Sequence, residues 1–248
     1  MGSFFTVCPA KAGVCHRKQF YGNTTFMKIL QNIFSRKSKK LSLILDQDGI
    51  NYIGGKASPE IVMPELETSP MVYFGCISKN ETNLKIIDFD LHLICPLFID
   101  LQIPVFLDYS DSTKPKLIRD NVPSNFSQYF EEIPNTAYIE YKKLKFSLNS
   151  LSTTKIKIGV HEIDYIPEEI GTFGQPNWIH NEDWPKCPIN GKKMEFLFQL
   201  GDIDNCKIKF GKNILDKESI DPYLHFGHGY LYVFYEPKSK VVAYLNQL

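Results

Sequence analysis

From residue 41 to the end of the chain, short bursts of apolar residues alternate with turn sequences. Bursts of about 4–8 residues with period 2, or continuously apolar, predict strands. LSLIL (41–45) ends at Asp46-Gln47-Asp48-Gly49, whose Asp-Gly pair predicts a tight hairpin into INYI (50–53). After Gly54-Gly55 and a loop marked by Pro59, Pro64 and Pro70, MVYFGCI (71–77) reads as a buried strand. LKIIDFDLHLIC (84–95), IPVFLDY (103–109), AYIEYKKLKFSL (137–148) and KIKIGV (155–160) follow as strands, the third with a phase slip near Tyr141. Residues 111–135 are polar and proline-punctuated, and a short helix is expected near Phe126–Glu132. The last third continues with MEFLFQL (194–200), a polar excursion, an HFGHG turn, YLYVFYEP (230–237) and KVVAYL (240–245).

Residues 1–26 carry neither period, and the text changes at Met27. Ile29, Leu30, Ile33 and Phe34 have helical spacing, and a basic cluster runs from Arg36 to Lys40. We expect a tail over 1–40 with a short amphipathic helix over 27–35, Met27 as the native start, and weak membrane-surface contact through 27–40. One domain is expected over 41–248.

Two stretches of that domain match in order. Gly54-Gly55, a proline loop and Met71-Val72-Tyr73-Phe74 parallel Phe173-Gly174-Gln175-Pro176, a proline loop and Met194-Glu195-Phe196-Leu197. VFLDY (105–109) parallels YVFYE (232–236). An internal duplication follows, with halves of about 41–136 and 137–248, each a small sheet packing its face on the other.

Composition narrows the functional classes. Twenty-eight basic and 28 acidic residues give zero net charge, so nothing draws the chain to phosphate backbones and no nucleic-acid partner is expected. No apolar run reaches the length of a membrane-spanning helix. None of the six cysteines forms a CxxC pair, and no signal-peptide pattern is present. Free thiols and a cytoplasmic location are therefore expected.

The segments FGQPNWIHNEDWPKCPINGKKMEFLFQLGDID (173–204), HFGHGYLYVFYEP (225–237), IGGKASPEIVMP (53–64) and MVYFGCI (71–77) together resemble the YwqG-like family. The chain departs from that pattern at Ala57, Cys76, Phe173 and His228, and has only Cys187 where some relatives carry paired cysteines. The resemblance implies a β-rich α+β fold with duplication and supplies no catalytic residues. It also implies protein-binding roles, including neutralisation of toxins.

Candidate chemistry is sparse. His225 and His228 form an HxxH that could share a metal if Cys187, Cys206 or Asp202 completed the shell. We assign them to ordinary turn hydrogen bonds and expect neither metal nor cofactor. Asp202 and Asp204 could pair for acid/base work, but nothing in the sequence sets their environments apart, and no catalytic residue is assigned. Gln199 ends an apolar strand, and a buried amide there would tie the strand to the Gly174–Pro176 turn or contact a ligand. Trp178 and Trp184, the only tryptophans, share one loop and suit either a binding hot spot or a lid over a small core. The expected function is a non-enzymatic protein-binding module with a protein partner, in its sharpest form an immunity-type antagonist of a toxin. The alternative is a small-molecule-binding protein or metal-dependent enzyme using the His225/His228 turn and the Trp178/Trp184 loop.

Overall fold

The strands form where β-branched and aromatic residues cluster, since such side chains fill a pleated surface well. In the computed structural model they are β1 (Leu41–Leu45), β2 (Asn51–Gly55), β3 (Val72–Ile77), β4 (Leu91–Cys95), β5 (Val105–Asp108), β6 (Lys116–Leu117) and β7 (Ile139–Asn149). They continue as β8 (Thr154–Ile158), β9 (His161–Tyr165), β10 (Glu169–Phe173), β11 (Glu195–Leu200), β12 (Ile203–Phe210), β13 (Tyr223–Leu224), β14 (Tyr230–Glu236) and β15 (Val241–Gln247). The structure describes residues 40–119, 133–134, 136–150, 154–158, 161–165, 168–211 and 223–248. The helices expected over 27–35 and near 126–132 lie outside these residues.

The expected α+β class is corrected: no α-helix occurs among the described residues, which form a curled antiparallel half-barrel. Thirteen strands join in one sheet, ordered β4-β3-β2-β7-β1-β10-β11-β14-β15-β5-β6, with β12 pairing β7 and β13; β8 and β9 form a separate hairpin. No helix among the described residues is long and apolar enough to cross a membrane. Two face-packed half-sheets are corrected as well. β7, from the second half, inserts between β1 and β2 of the first, and β15 pairs β5. Strand pairing across the halves gives one continuous ladder where the sequence suggested two stacked layers.

The Asp-Gly hairpin does not form, because β1 and β2 lie on opposite sides of β7. The turn between them crosses β7 so closely that a Cβ at Gly49 would fall 2.2 Å from the Phe146 carbonyl oxygen. Glycine is needed there for close approach, not for hairpin dihedrals. The expected strand over 84–95 shrinks to Leu91–Cys95. Its first part is a chain of turns in which the Leu84 and Ile87 N–H groups donate to Glu81 and Leu84 carbonyls. Leu84, Ile87 and Phe89 nevertheless reach the core. The slip near Tyr141 is a bulge: Ile53 faces Leu144, but Gly55 faces Tyr141.

The main core fills the concave face of the sheet, around Phe74, Tyr109, Phe146 and Tyr244. Curling brings β4 against the far strands. The Ile94 N–H donates to Tyr244 Oη at 3.2 Å, and Tyr109 Oη donates to the His92 carbonyl at 2.5 Å. Phe74 meets Tyr244 edge-on at 5.8 Å between centroids. These tyrosines satisfy backbone groups of an edge strand that would otherwise be open to pairing.

The convex face carries a smaller core of Phe106, Cys187, Met194, Tyr232, Phe234, Val241, Ala243 and Leu245. The loop from β10 to β11 covers it. Only part of that face is covered, and the uncovered part is where polar residues gather.

Candidate functional site

Strand register lines up one polar row across the sheet. Asn149 of β7 faces Ser42 of β1, Ser42 faces Thr172 of β10, Thr172 faces Gln199 of β11, and Gln199 faces Tyr232 of β14. Ser42, Thr172 and Gln199 are buried. Thr172 and Gln199 line a cleft of about 450 Å³, together with Lys40, Glu169, Asn177, Asp202, His228 and Tyr230. Ile170 and three glycines, Gly171, Gly201 and Gly229, complete its lining, and the glycines bring no side chains to it. At Gly171 a Cβ would sit 2.0 Å from the Gln199 carbonyl oxygen, so β10 and β11 approach through that glycine.

Gln199 is 1% exposed. Its Oε1 accepts the Asn177 N–H at 2.5 Å, one residue beyond the Gly174–Pro176 turn, and Tyr232 Oη donates to the Asn177 carbonyl at 2.7 Å. Both backbone groups of Asn177 are thereby held by strand side chains. The Gln199 amide nitrogen has no acceptor among the described residues. The Thr172 hydroxyl is buried without a hydrogen-bond partner among the described residues. A buried unpaired hydroxyl costs about 1–3 kcal/mol.

Asp202, in the link between β11 and β12, faces the turn between β13 and β14. Its Oδ1 accepts the Phe226 N–H at 2.5 Å and its Oδ2 the His228 N–H at 3.1 Å. These bonds hold His228 in a left-handed conformation, φ 63°. His225 Nδ1 lies 3.6 Å and His228 Nδ1 3.3 Å from Asp202 Oδ2, while His225 Nε2 lies 3.8 Å from Asp204 Oδ1. One ligand atom from each of Asp202, His225 and His228 falls within 4.8 Å of the others, a spacing that could hold a metal ion. Of the three residues proposed from sequence to complete an HxxH shell, the structure brings Asp202. Cys187 instead lies against Ser239 Oγ at 3.1 Å, and the Cys206 thiol donates to the Lys142 carbonyl at 3.2 Å.

The two tryptophans sit elsewhere, on the convex-face core. Trp178 stacks on Tyr232 at 4.8 Å and on Phe234 at 6.0 Å, and Trp184 meets Trp178 and Phe234 edge-on. The Lys193 ammonium lies 3.7 Å from the centroid of the Trp184 ring. The tryptophan loop touches the cleft only through Asn177.

Sequence reading missed a second titratable cluster. Tyr52, Cys76 and His92 share one row across β2, β3 and β4. A bulge between Tyr73 and Gly75 adds Tyr73 to it. Tyr52 Oη and Tyr73 Oη are 2.7 Å apart, and Tyr73 Oη is 3.2 Å from His92 Nδ1. Burial pushes the Cys76 thiol up to about 12, with help from the Asp90 charge, so it is an inert thiol and no nucleophile. Burial lowers the His92 pKa against the opposing charges of Asp90 and Glu60. A histidine held neutral on folding binds its proton more readily when unfolded. Its contribution is intact above the unfolded value of about 6.5 and is lost as pH falls through and below it. Urea midpoints should therefore drop below about pH 6.5, and His92→Gln should flatten that drop. An unchanged acid limb in the variant would assign the loss to other groups.

No protein-family model, curated protein or solved structure matches the chain.

Proposed function

We propose that the protein binds a small, polar, hydrogen-bonding molecule in the cleft over β10 and β11. The observation that carries this reading is Gln199: a buried amide lining the cleft, fixed at its oxygen by Asn177, with no acceptor for its nitrogen among the described residues. Sites that fix a ligand's orientation use a few polar groups placed in this way. Lys40, Glu169 and Asp202 bring charges of both signs. The alternative read from the sequence placed ligand binding at the histidine turn and the tryptophan loop. His228 lines the cleft and Asn177 connects that loop to it, whereas the indoles are occupied in ring stacking. The protein-antagonist reading would draw its surface from those indoles, so the proposal rests on the cleft.

Saturation-transfer NMR against panels of free amino acids, sugars and nucleosides tests the proposal. One chemical class should bind, and Gln199→Leu should weaken it by roughly tenfold or more, the worth of one hydrogen bond to a ligand. Thr172→Val should leave the protein equally stable, or more stable by about 1 kcal/mol, because it removes an unpaired buried hydroxyl. Absence of any binder at millimolar concentration, or binding untouched by Gln199→Leu, would reject the cleft as the site.

A further inference from the structure

We infer that Asp202, His225 and His228 form a divalent-metal site at the rim of the cleft, with zinc the best-fitting ion. Metal–ligand bonds of about 2.0–2.2 Å at tetrahedral angles place neighbouring ligand atoms about 3.3–3.6 Å apart. The two edges from Asp202 Oδ2 are 3.3 Å to His228 Nδ1 and 3.6 Å to His225 Nδ1. The ligand atoms all lie within 4.8 Å of one another, so the edge between the imidazoles has to shorten on metal binding, and the His228 side chain, 89% exposed, is the one free to move. Two imidazoles and one carboxylate are the donor set of a zinc site that keeps its fourth position for water or a ligand oxygen.

Two of the three ligands are already oriented, and the site borders the cleft. The Asp202 carboxylate is held by two backbone N–H groups, from Phe226 and His228, so its direction is set by the same turn that carries the histidines. His225 has Nδ1 3.6 Å from Asp202 and Nε2 3.8 Å from Asp204, which puts Asp204 where an outer carboxylate stands in many metal sites. Asp202 and His228 also line the cleft, so an ion held by them borders it. This inference stands independently of the small-molecule reading. If both hold, the cleft ligand carries an oxygen that can reach the open position.

The test uses the full chain, purified without chelator or histidine tag, stripped of metal and titrated with Zn²⁺ by calorimetry. One equivalent should bind and raise the melting temperature, as a ligand specific to the folded state does. Co²⁺ in place of Zn²⁺ should give the intense visible absorption of a four-coordinate nitrogen and oxygen site. His228→Asn removes the imidazole while keeping a residue that tolerates the left-handed backbone. It should weaken Zn²⁺ by more than the roughly 10–100-fold expected for losing an outer partner, the size of effect anticipated for Asp204→Asn. Unchanged Zn²⁺ affinity in a folded His228→Asn variant would overturn the site. So would a thiolate-to-cobalt charge-transfer band, which would place the metal on cysteine. Loss of cleft binding with zinc binding intact would reject the small-molecule reading alone.

Discussion

Replacing Trp178 and Trp184 together with alanine is expected to destabilise the protein by about 3–5 kcal/mol, as loss of large aromatic side chains from a packed core does. The two indoles roof the convex-face core. Trp178 lies flat on Tyr232 at 4.8 Å, and Trp184 meets Phe234 at 5.9 Å. Removing both exposes Tyr232 and Phe234, which are completely buried in the intact chain. It also frees the loop that positions Asn177, so the Gln199 and Tyr232 contacts to that residue should weaken. Urea unfolding followed by far-UV circular dichroism measures the loss. Native tryptophan emission reports on this loop alone, because the chain has no other tryptophan. A double variant within about 0.5 kcal/mol of the parent would show that the indoles carry no structural load. It would return them to the partner-binding role that the sequence offered as the alternative.

Much of the strand content was legible because it is local. The runs at 41–45, 71–77, 194–200 and 230–237 became β1, β3, β11 and β14, since apolar content and turn residues report directly on each segment. Gln199 was legible for a related reason: an amide ending an apolar strand needs a partner, and the Asn177 N–H is close to the turn expected for it. Asp202 was among three candidates for the histidine pair, and only the turn geometry selects it.

Pairing was not legible, because it depends on residues far apart in the chain. The Asp-Gly turn carries a hairpin signal, yet β7, nearly a hundred residues downstream, lies between β1 and β2. The repeated loop-and-strand grammar suggested two sheets, whereas backbone pairing between β15 and β5 draws the halves into one. β12 was read as a polar excursion because a half-exposed strand spaces its buried residues, Ile203 and Cys206, irregularly. β10 was missed because Gly171 interrupts its pattern. These two strands lie beside or beneath the cleft, so the site was hidden while its individual residues were not. The helical component came from the resemblance and from two short segments, 27–35 and 126–132, that lie outside the described residues, and no periodicity in the described residues supported it.

Buried tyrosines of the two cores give the second large effect, a steep loss of stability in alkali. Burial pushes Tyr232 and Tyr235 up to about 12 and carries Tyr73, Tyr109 and Tyr244 above the ordinary phenol range. In the unfolded chain these groups ionise near pH 10. A group whose folded pKa is raised contributes stability that is complete below its unfolded value and is lost as pH rises toward the folded one. Each such tyrosine therefore removes up to about 1.4 kcal/mol per pH unit between its unfolded and folded values, least for the half-screened Tyr232 and Tyr235. Several together would exhaust a typical stability of about 5–15 kcal/mol within roughly two pH units. Two of these hydroxyls also hold the curl closed, Tyr109 on the His92 carbonyl and Tyr244 on the Ile94 N–H. Ionising Tyr109 removes the proton it donates and sets a charge inside the core. Absorbance at 295 nm should thus show exposed tyrosines titrating near pH 10 and the buried set in one later, cooperative step, coincident with loss of the β-sheet circular dichroism signal. A single smooth titration near pH 10 with the sheet signal intact would mean that water reaches these hydroxyls and that the sheet does not close over them.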